Sequence, residues 1–546
     1  MKSLEPQSSK DSRHLVLVMV GDTGFAPSRV APHPTWVAKY GTVLPFADTL
    51  KYIRKDIDGD INFANMESVI SAASGLPPVP KKYNFMTHPN GARALVDAGF
   101  NLFSLANNHA FDYGVPGVKE TLKYAEPLKD HGLLAYAGVG HTLEEAAFAP
   151  VFTVKDIPVA FASIGIGGSG AGRAGSNKPG QLSLFSNSDK VLLAHNLARA
   201  AADIRLLSVH HGPERYIRPT AHEVSFQRKL VLDSNANVML GHHAHVARGI
   251  EMIDGRLIVY GLGNFNHQGT ANMNSKGGCQ DYSLMVKVHF VEEAGAKPVI
   301  AAVEALPINW THMQPRRMDG LNGARRIAVL NGLSAQFDDP RVGAKGVRFM
   351  AQMDGSGIYC TAAAASNPIT RNLCSNFKPE HLASNGEYRR ALATCGSVAP
   401  KQMIAKALPL GGTANMRMAS LSETNAVAAQ PFVAHEEKAP EAAPGVTLLG
   451  QETQGSTDLP VVIASVETTT TVMASARTTA PTPEPETLVK APYCLKSNPA
   501  HWPAGMPLAW AVPSDESAKD KSKRWRAHRY TVAEVETLLK KRGLIK

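Results

Sequence analysis

The sequence predicts an α/β sandwich, followed by a helical extension and a disordered C-terminal region. Between residues 14 and 310, short β-like runs alternate with helical stretches, and this alternation then gives way to antiparallel hairpin signals. Such an order of elements is typical of layered α/β domains. From 401 to 490 the composition shifts to Ala, Thr, Pro, Glu and Ser, which cannot bury enough apolar area to offset the entropy of the chain.

The length and charge of the chain limit its organisation and its partners. With 546 residues it is too long for one core, since domains usually stop growing at about 250–300 residues. The net charge of +10 is mild for this length, so it permits an anionic substrate and does not indicate nucleic acid. The predicted parts are a disordered N-terminus (1–13), an α/β domain (14–310), a mainly helical extension (311–400), a low-complexity disordered linker (401–490) and a basic tail with a short C-terminal helix (491–546).

The first part of the α/β domain contains predicted strands that end in polar residues. Four strands share this feature: 14–20 before Gly21-Asp22, 102–106 before Asn107-Asn108-His109, 204–209 before His210-His211, and 237–240 before Gly241-His242-His243-Ala244-His245. Helices are predicted at 89–98, 115–131, 186–202 and 221–234, and a Thr142-x-x-Glu145 capping box predicts a short helix.

The later part of the domain is predicted to be antiparallel. Residues 248–253 and 256–260 flank Asp254-Gly255, which is a two-residue type I′ hairpin signal. Residues 282–291 and 298–308 form two further predicted strands. Alternating β and α units followed by a β meander favour a sandwich of sheets and helices.

The apolar runs and the cysteines predict a cytoplasmic protein. The runs 15–20 and 299–303 are far shorter than the roughly 18 residues that a bilayer requires, and no cleavage pattern follows the first of them. The five cysteines are sparse and include no Cys-x-x-Cys pair, which favours reduced thiols over a disulfide framework or a zinc–thiolate site.

Side chains suited to a divalent metal follow the predicted strands. Asn65 with Glu67 adds a fifth polar cluster to the four above. In α/β folds, ligands bind at the carboxyl ends of the strands. Carboxylate, amide and imidazole groups without cysteine suit Zn²⁺, Mn²⁺ or Fe, and two ions would need one bridging group and several terminal ligands. We therefore expect one or two divalent metal ions, of open identity, as cofactors.

Each cluster also has a purely structural explanation. Asp22 fits a turn, Glu67 a solvated position, and His210 a paired side chain in a loop. His243-Ala244-His245 is the sharpest signal, because alternate residues of an extended segment project to the same side. This spacing favours metal ligation by His243 and His245, and a structural role for His242.

Taken in order, the motifs resemble those of the CapA family of bacterial poly-γ-glutamate capsule-synthesis proteins. The resemblance covers residues 14–310 and implies a calcineurin-like metallophosphoesterase fold, an αββα sandwich. The motifs that carry it are Gly21-Asp22, NFANMES (62–68), LANNHAFDYG (105–114), VHHG (209–212), MLGHHAHVARGIE (239–251) and IVYGLGNF (258–265).

The resemblance also implies roles for individual residues. His109 falls where the parent fold places a general acid or transition-state donor, and Asp112 would orient it. A metal-activated hydroxide would be the nucleophile. The implied metal ligands are Asp22 and His245 for one ion, Asn108, His210 and His243 for the other, and Glu67 as the bridge.

Two features depart from the family pattern or stand outside it. The parent superfamily usually carries Asp-x-His, whereas Thr23 and Gly24 follow Asp22 here, which weakens the first metal site. The segment 165–170 matches Gly-x-Gly-x-x-Gly, but the Gly- and Pro-rich residues after it exclude the helix that a dinucleotide site requires. We interpret it as a loop near the site, where Arg173, together with Arg215 on another loop, would face an anionic substrate; a plain surface loop is the alternative.

The function implied by the resemblance is metal-dependent action in the synthesis or processing of an anionic capsule polymer of the poly-γ-glutamate type. The protein would hydrolyse a phosphoester or amide-like bond. Its expected partners are an anionic polymer or phosphoester substrate and the capsule-synthesis machinery. Two alternatives stay open: a non-catalytic capsule-assembly or polymer-binding component, and a nucleotide phosphodiesterase.

Overall fold

The structure is a computed structural model in which part of the chain is described. The predicted linker 401–490 and the predicted C-terminal helix lie outside the described residues, as do residues 1–12. The described ranges are 13–26, 32–35, 37–39, 42–167, 170–277, 279–292, 295–379, 382, 385–393, 395, 509–513 and 525–529.

Within these ranges the chain forms 25 β-strands and eight α-helices. The strands of the first half are β1 (Arg13–Gly24), β2 (Val37–Lys39), β3 (Thr42–Leu44), β4 (Ile61–Met66), β5 (Val69–Ile70), β6 (Met86–Thr87), β7 (Leu102–Ser104), β8 (Ala135–Ala137), β9 (Val139–Gly140), β10 (Val151–Val154), β11 (Ile157–Gly165), β12 (Gly180–Gln181), β13 (Ile204–His210), β14 (Val238–His242), β15 (Ile250–Ile253), β16 (Arg256–Val259) and β17 (Asn264–His267). The remaining strands are β18 (Ser283–Glu292), β19 (Val299–Asn309), β20 (Arg316–Arg317), β21 (Ala344–Gly346), β22 (Met350–Ala351), β23 (Gly357–Cys360), β24 (Ala509–Pro513) and β25 (Trp525–Arg529). The helices are α1 (Pro89–Asp97), α2 (Gly114–Ala125), α3 (Leu143–Ala146), α4 (Asn187–Arg199), α5 (Ala221–Asp233), α6 (Gly320–Ser334), α7 (Pro368–Leu373) and α8 (Asn385–Ala393).

Two large mixed sheets hold most of these strands. The first has the order β22-β23-β19-β18-β1-β4-β7-β8, with β17 paired to β1 and β20 to β19. The second has the order β10-β11-β13-β14-β16-β15-β21. The parallel strands are β1, β4, β7, β8 and β17 in one sheet and β11, β13, β14 and β16 in the other, so their carboxyl ends define one edge of each sheet.

The two sheets pack face to face around a common core. Along β1, Leu15, Leu17 and Met19 belong to this core, whereas Val18 and Val20 belong to the cluster on the other face of the same sheet. The sequence of β1 is almost continuously apolar because β1 is a central strand and both of its faces are buried. Phe63 of the first sheet meets Phe161 of the second edge to face, with ring centroids 5.8 Å apart.

Helices cover the outer face of each sheet. Apolar residues of α1 and α2 pack on the first sheet, and those of α4 and α5 pack on the second, each pair completing its own cluster. The layers therefore follow the order helix, sheet, sheet, helix, and the α/β sandwich that the sequence predicts is confirmed. Thr142 and Thr220 cap α3 and α5, because each threonine side chain accepts a hydrogen bond from the amide of the glutamate three residues later. The reciprocal bond that completes a capping box is present at Thr220, whereas Glu145 accepts from the backbone N–H of His141 and not of Thr142.

The segment 311–400 is built into both sheets. It contains α6, α7 and α8, but β22 and β23 extend the first sheet and β21 extends the second. The sequence predicts mainly helix here because these strands are only two to four residues long and carry little alternation. None of the helices within the described residues has the length and apolar composition that a bilayer crossing needs.

Two disulfides overturn the expectation of reduced thiols. Cys279 pairs with Cys395 and Cys360 pairs with Cys374, with Cα–Cα distances of 5.2 Å and 6.1 Å. The two cysteines of the first pair are separated by 116 residues, so their proximity follows from the fold and not from the sequence spacing. The expectation was wrong because cysteines that are far apart in the sequence can still meet in the folded chain.

Candidate metal centre

The side chains of the predicted metal site all lie at the carboxyl ends of strands. In the first sheet Asp22 lies near the end of β1, directly across from Asn65 of β4 and Asn264 of β17. In the second sheet His210 ends β13 and lies across from His242 of β14. Glu67 and Asn108 follow β4 and β7, and His243 and His245 follow β14.

Glu67 is the shared member of two groups of potential ligands. In each group the ligand atoms lie within 4.8 Å of one another: Glu67, His243 and His245 form one, and Asp22, Glu67 and His210 form the other. The partition differs from the predicted one, because His210 and His245 exchange places between the groups. Asn108 joins the cluster through His210, whose Nε2 lies 2.7 Å from the Asn108 Oδ1.

Asp22 is fully buried and is held from several sides. Asn65 Nδ2 donates to its Oδ1 at 2.8 Å, and the backbone N–H of His243 donates to its Oδ2 at 3.1 Å. Burial alone would raise the pKa of Asp22, but the imidazoles of His242 and His245 hold that pKa well below its usual range. Asp22 is therefore a carboxylate, the form that binds metal.

Gly21 explains how Asp22 reaches this position. Asp22 N–H donates to the Gly263 carbonyl at 3.0 Å, which brings the two backbones together. A Cβ at position 21 would lie 1.9 Å from the Gly263 oxygen, so no other residue fits there without a shift of the chain.

Glu67 is fully buried, and only one of its carboxylate oxygens has a hydrogen-bond partner. Oε2 lies 3.0 Å from Nε2 of His267, whereas Oε1 has no partner among the described residues. Burial, together with the negative charge of Asp22, raises the pKa of Glu67 well above its usual range. A buried carboxylate in this state gains from a cation beside it.

His243 and His245 converge on Glu67, though not for the predicted reason. Both residues have positive φ angles, 85° and 56°, so the segment after β14 is a bent loop and not an extended strand. Their ring centroids lie 6.1 Å apart. Positive φ is uncommon outside glycine and is found where surrounding structure enforces it, often at functional sites. The prediction that both rings face one site holds, but the extended geometry behind it was wrong.

The protonation states of these two histidines differ. Burial lowers the pKa of His243 to about 3, so it is neutral and has a lone pair for a metal. Although burial disfavours the charged form of His245, the carboxylates of Glu67 and Asp22 raise its pKa to about 10. The positive charge on His245 offsets part of the negative charge of the cluster, and a metal ion would have to replace that proton, because histidine binds metal in its neutral form.

The buried lone pairs of the cluster fit a divalent cation. Glu67 Oε1, His243 Nδ1 and Asn65 Oδ1 are buried and have no hydrogen-bond partner among the described residues. Buried polar atoms are nearly always paired, and an ion is one of the recognised reasons for exceptions. All three atoms can offer lone pairs, and the oxygen and nitrogen donor set without sulfur suits Mn²⁺, Zn²⁺ or Fe.

His109 faces the cluster from the side of the first sheet. Its Nδ1 lies 2.6 Å from Asp112 Oδ2, and its Nε2 lies 3.9 Å from Glu67 Oε1. The Phe85 ring packs on it at a centroid distance of 4.1 Å. Burial lowers the pKa of His109 although the contact with Asp112 acts in the opposite direction. His109 and Asp112 are therefore in contact, and Lys81 Nζ donates to the other oxygen of Asp112.

The two arginines that the sequence assigns to substrate binding lie in different settings. Arg215 is exposed, and its backbone N–H donates to the Ala244 carbonyl at 2.7 Å, which ties its loop to the His243–His245 segment. Arg173 makes a two-pronged ion pair with the buried Asp189, at 2.9 Å and 2.6 Å, so its guanidinium is already engaged.

Gly167, in the glycine-rich segment, packs against the loop of Asn107. A Cβ on Gly167 would lie 2.2 Å from the Asn107 carbonyl oxygen, which explains the need for glycine. The same carbonyl accepts a hydrogen bond from Gln181 Nε2 at 2.8 Å. Gly167 thus allows close backbone packing beside the cluster.

Arg248 holds the loop that carries Arg215. It is fully buried and donates to Glu223 Oε1 at 2.9 Å, to the Pro213 carbonyl at 2.9 Å and to the Tyr216 carbonyl at 2.8 Å. Sequence reasoning gave Arg248 no role, because nothing in its spacing distinguishes a buried arginine from an exposed one.

Sequence reasoning also missed residues that contact the predicted ligands. His267 touches Glu67, Asn264 Oδ1 lies 2.8 Å from Nδ1 of His245, and Lys81 contacts Asp112. Asn264 lies inside the quoted IVYGLGNF motif, and His267 lies two residues after it, so the motif was a usable signal. Lys81 lies in a loop without pattern, and no signal in the sequence points to it.

The layer order and the cluster match the fold that the sequence motifs imply. An αββα sandwich with carboxylate, amide and imidazole groups at the carboxyl ends of its parallel strands is the architecture of calcineurin-like metallophosphoesterases. Residues 16–268 match the family model described as bacterial capsule synthesis protein PGA_cap. This segment of the chain is therefore similar to the members of that family.

Individual relatives agree with the family match. The chain is 25% identical over 271 residues to the capsule biosynthesis protein CapA of Bacillus anthracis, which covers 48% of this chain and 62% of that protein. It is 32% identical over 206 residues to the PGA biosynthesis protein CapA of Bacillus subtilis (strain 168), which covers 37% of this chain and 51% of that protein. The chain therefore spans about half to three fifths of the length of these curated relatives.

One solved structure with a similar chain trace is the calcineurin-like phosphoesterase YfkN from Bacillus subtilis. It is 10% identical and covers 70% of this chain and 98% of the solved chain, with a TM-score of 0.28. The fold assignment rests on the sheet order and the family match.

Proposed function

We propose that this protein is a metal-dependent hydrolase that acts on a phosphoester or amide-like bond during the synthesis or processing of an anionic capsule polymer of the poly-γ-glutamate type. The family match supports the setting of capsule synthesis. The observation that carries the chemistry is the buried cluster around Glu67, with three lone pairs that lack hydrogen-bond partners.

The metal ligands in this proposal are those that the sequence implies. Glu67 would be shared by two ions. A bound divalent ion would polarise the substrate and lower the pKa of a water molecule, which supplies a nucleophile at neutral pH. The proposed ligands are Asp22, Glu67, Asn108, His210, His243 and His245.

His109 would donate a proton to the leaving oxygen of the substrate, and Asp112 would hold His109 in position. Asp112 accepts the Nδ1 proton of His109, which leaves Nε2 directed towards Glu67 and the site. An imidazole held in this way can hydrogen-bond to a leaving oxygen or pass a proton to it. The Phe85 ring on one face of the imidazole excludes water from that side.

The substrate is proposed to be anionic. Arg215 is exposed beside the His243–His245 segment and would attract a phosphate or a polyglutamate carboxylate. Arg173 is a weaker candidate, because Asp189 neutralises it. The capsule-synthesis machinery is the proposed partner.

The compartment is part of the proposal. Disulfides persist mainly in oxidising environments, so the two pairs favour such a compartment over the cytoplasm expected from the sequence. Peptide mapping of the protein purified without reductant tests this point, since free thiols at all four positions would restore the cytoplasmic expectation.

The catalytic proposal is tested with bis(4-nitrophenyl) phosphate and with poly-γ-glutamate in the presence of Mn²⁺. We expect turnover by the wild type and its loss in His243→Ala and Glu67→Ala. Lys229→Ala serves as the matched control, because Lys229 is exposed on α5 and forms a surface ion pair with Asp233. Metal binding without turnover of either substrate would overturn the hydrolase and favour a non-catalytic assembly component.

A further inference from the structure

His267 is a buried histidine beside the candidate metal centre to which the proposed function gives no role. It is the last residue of β17, it is fully buried, and it lies across from Gly24 of β1. Its ring meets Phe85 and His245 edge to face, at centroid distances of 5.2 Å and 5.8 Å. The backbone of His267 is fixed as well, because its N–H donates to the Thr311 carbonyl at 2.7 Å.

The hydrogen bonds of its ring define where its proton lies. The backbone N–H of Gly269 donates to Nδ1 of His267 at 3.2 Å. A backbone amide can only donate, unlike an asparagine side chain that can be turned over, so Nδ1 must be the acceptor. A neutral imidazole carries one proton, and that proton is therefore on Nε2. Nε2 lies 3.0 Å from Oε2 of Glu67, so His267 donates to Glu67.

This hydrogen bond fixes the orientation of the Glu67 carboxylate. With Oε2 held by His267, the other oxygen, Oε1, is directed towards His210 Nε2 at 3.5 Å and His109 Nε2 at 3.9 Å. Oε1 is the oxygen without a hydrogen-bond partner. Rotation of the carboxylate out of this plane would lengthen the contact with His267.

We propose that His267 is a positioning residue that donates Nε2–H to Glu67 and thereby presents the free oxygen of Glu67 to a divalent metal ion. This inference rests on the proposed metal centre and adds a residue that acts through a ligand without being one. Partners of this kind typically contribute 10- to 100-fold to metal affinity.

Two substitutions distinguish a hydrogen-bond donor to Glu67 from a direct metal ligand at position 267. His267→Gln keeps an N–H donor near the position of Nε2, and His267→Asn keeps an acceptor near the position of Nδ1 for Gly269 but is too short to reach Glu67. We expect the Mn²⁺ dissociation constant, measured by isothermal titration calorimetry, to rise about 10- to 100-fold in His267→Asn and by less than about threefold in His267→Gln. Melting temperatures of the metal-free variants show whether both are folded.

The outcomes are distinguishable. Equal weakening by Asn and Gln would overturn the inference, because a direct imidazole ligand would be lost in both. Unchanged affinity in His267→Asn would also overturn it, since the donor would then be dispensable. If the wild type itself bound no Mn²⁺, the proposed metal centre would fail and this inference with it.

Discussion

The backbone N–H of His243 donates to the side chain of Asp22 at 3.1 Å, across 221 residues of sequence. Asp22 belongs to β1 of the first sheet, and His243 follows β14 of the second. The hydrogen bond therefore links the two sheets at the edge where the candidate ligands gather. The cluster is a product of the packed sandwich, and neither sheet alone contains it.

His109 can be separated from the metal ligands by substitution. We expect His109→Asn to lower turnover of the phosphodiester by about 10²- to 10⁴-fold, the usual contribution of a general acid or base. Mn²⁺ affinity should stay close to that of the wild type, because His109 is not among the proposed ligands. A parallel loss of Mn²⁺ binding would show that His109 is a ligand instead.

Arg248 should matter for stability. Arg248→Met leaves Glu223 as a buried carboxylate without its ion pair, and removal of one partner of a buried pair typically costs about 3–5 kcal/mol. Denaturant unfolding measures this loss. The control is Lys229→Ala, whose exposed pair with Asp233 should contribute less than about 1 kcal/mol. An equal loss of unfolding free energy in Arg248→Met and Lys229→Ala would contradict the burial of the Arg248 ion pair.

The disulfide between Cys360 and Cys374 should stabilise the extension. The two cysteines are 14 residues apart, and closure of a loop of that size contributes about 3 kcal/mol in the chain-entropy account. The double variant Cys360→Ala, Cys374→Ala should lose about that much free energy of unfolding under non-reducing conditions. Dithiothreitol should destabilise the wild type more than this variant, and an equal response would contradict the pairing.

Acid should destabilise the protein through His14, at the opposite end of β1 from the site. Burial and the neighbouring His289 lower the pKa of His14 to about 4, from an ordinary value of 6.5. The unfolded chain therefore binds the proton more readily, so this contribution to stability is intact above pH 6.5 and is lost as the pH falls towards 4. The fall between pH 6.5 and 4 should be shallower in His14→Gln, as followed by denaturant unfolding at each pH.

The sequence predicts the sandwich and the members of the site because both depend on local signals. Apolar runs such as 14–20 and 204–209 mark the strands, and the polar residues that end them necessarily meet at one edge. The Asp254-Gly255 turn is also confirmed, because both residues have the positive φ that a type I′ hairpin requires.

What the sequence does not reveal depends on contacts distant along the chain. Cys279 and Cys395 pair across 116 residues, and His267 reaches Glu67 across 200. The bend at His243 and His245 was missed because positive φ outside glycine follows from tertiary packing and has no sequence signature.

The most direct test of the metal centre is the metal content of the purified protein. After equilibrium dialysis against Mn²⁺, mass spectrometric metal analysis should find about one to two equivalents in the wild type. Glu67→Gln should retain far less, because it removes the charge shared by both groups of ligands. A wild type without bound metal, or a Glu67→Gln variant that binds as much as the wild type, would contradict the account.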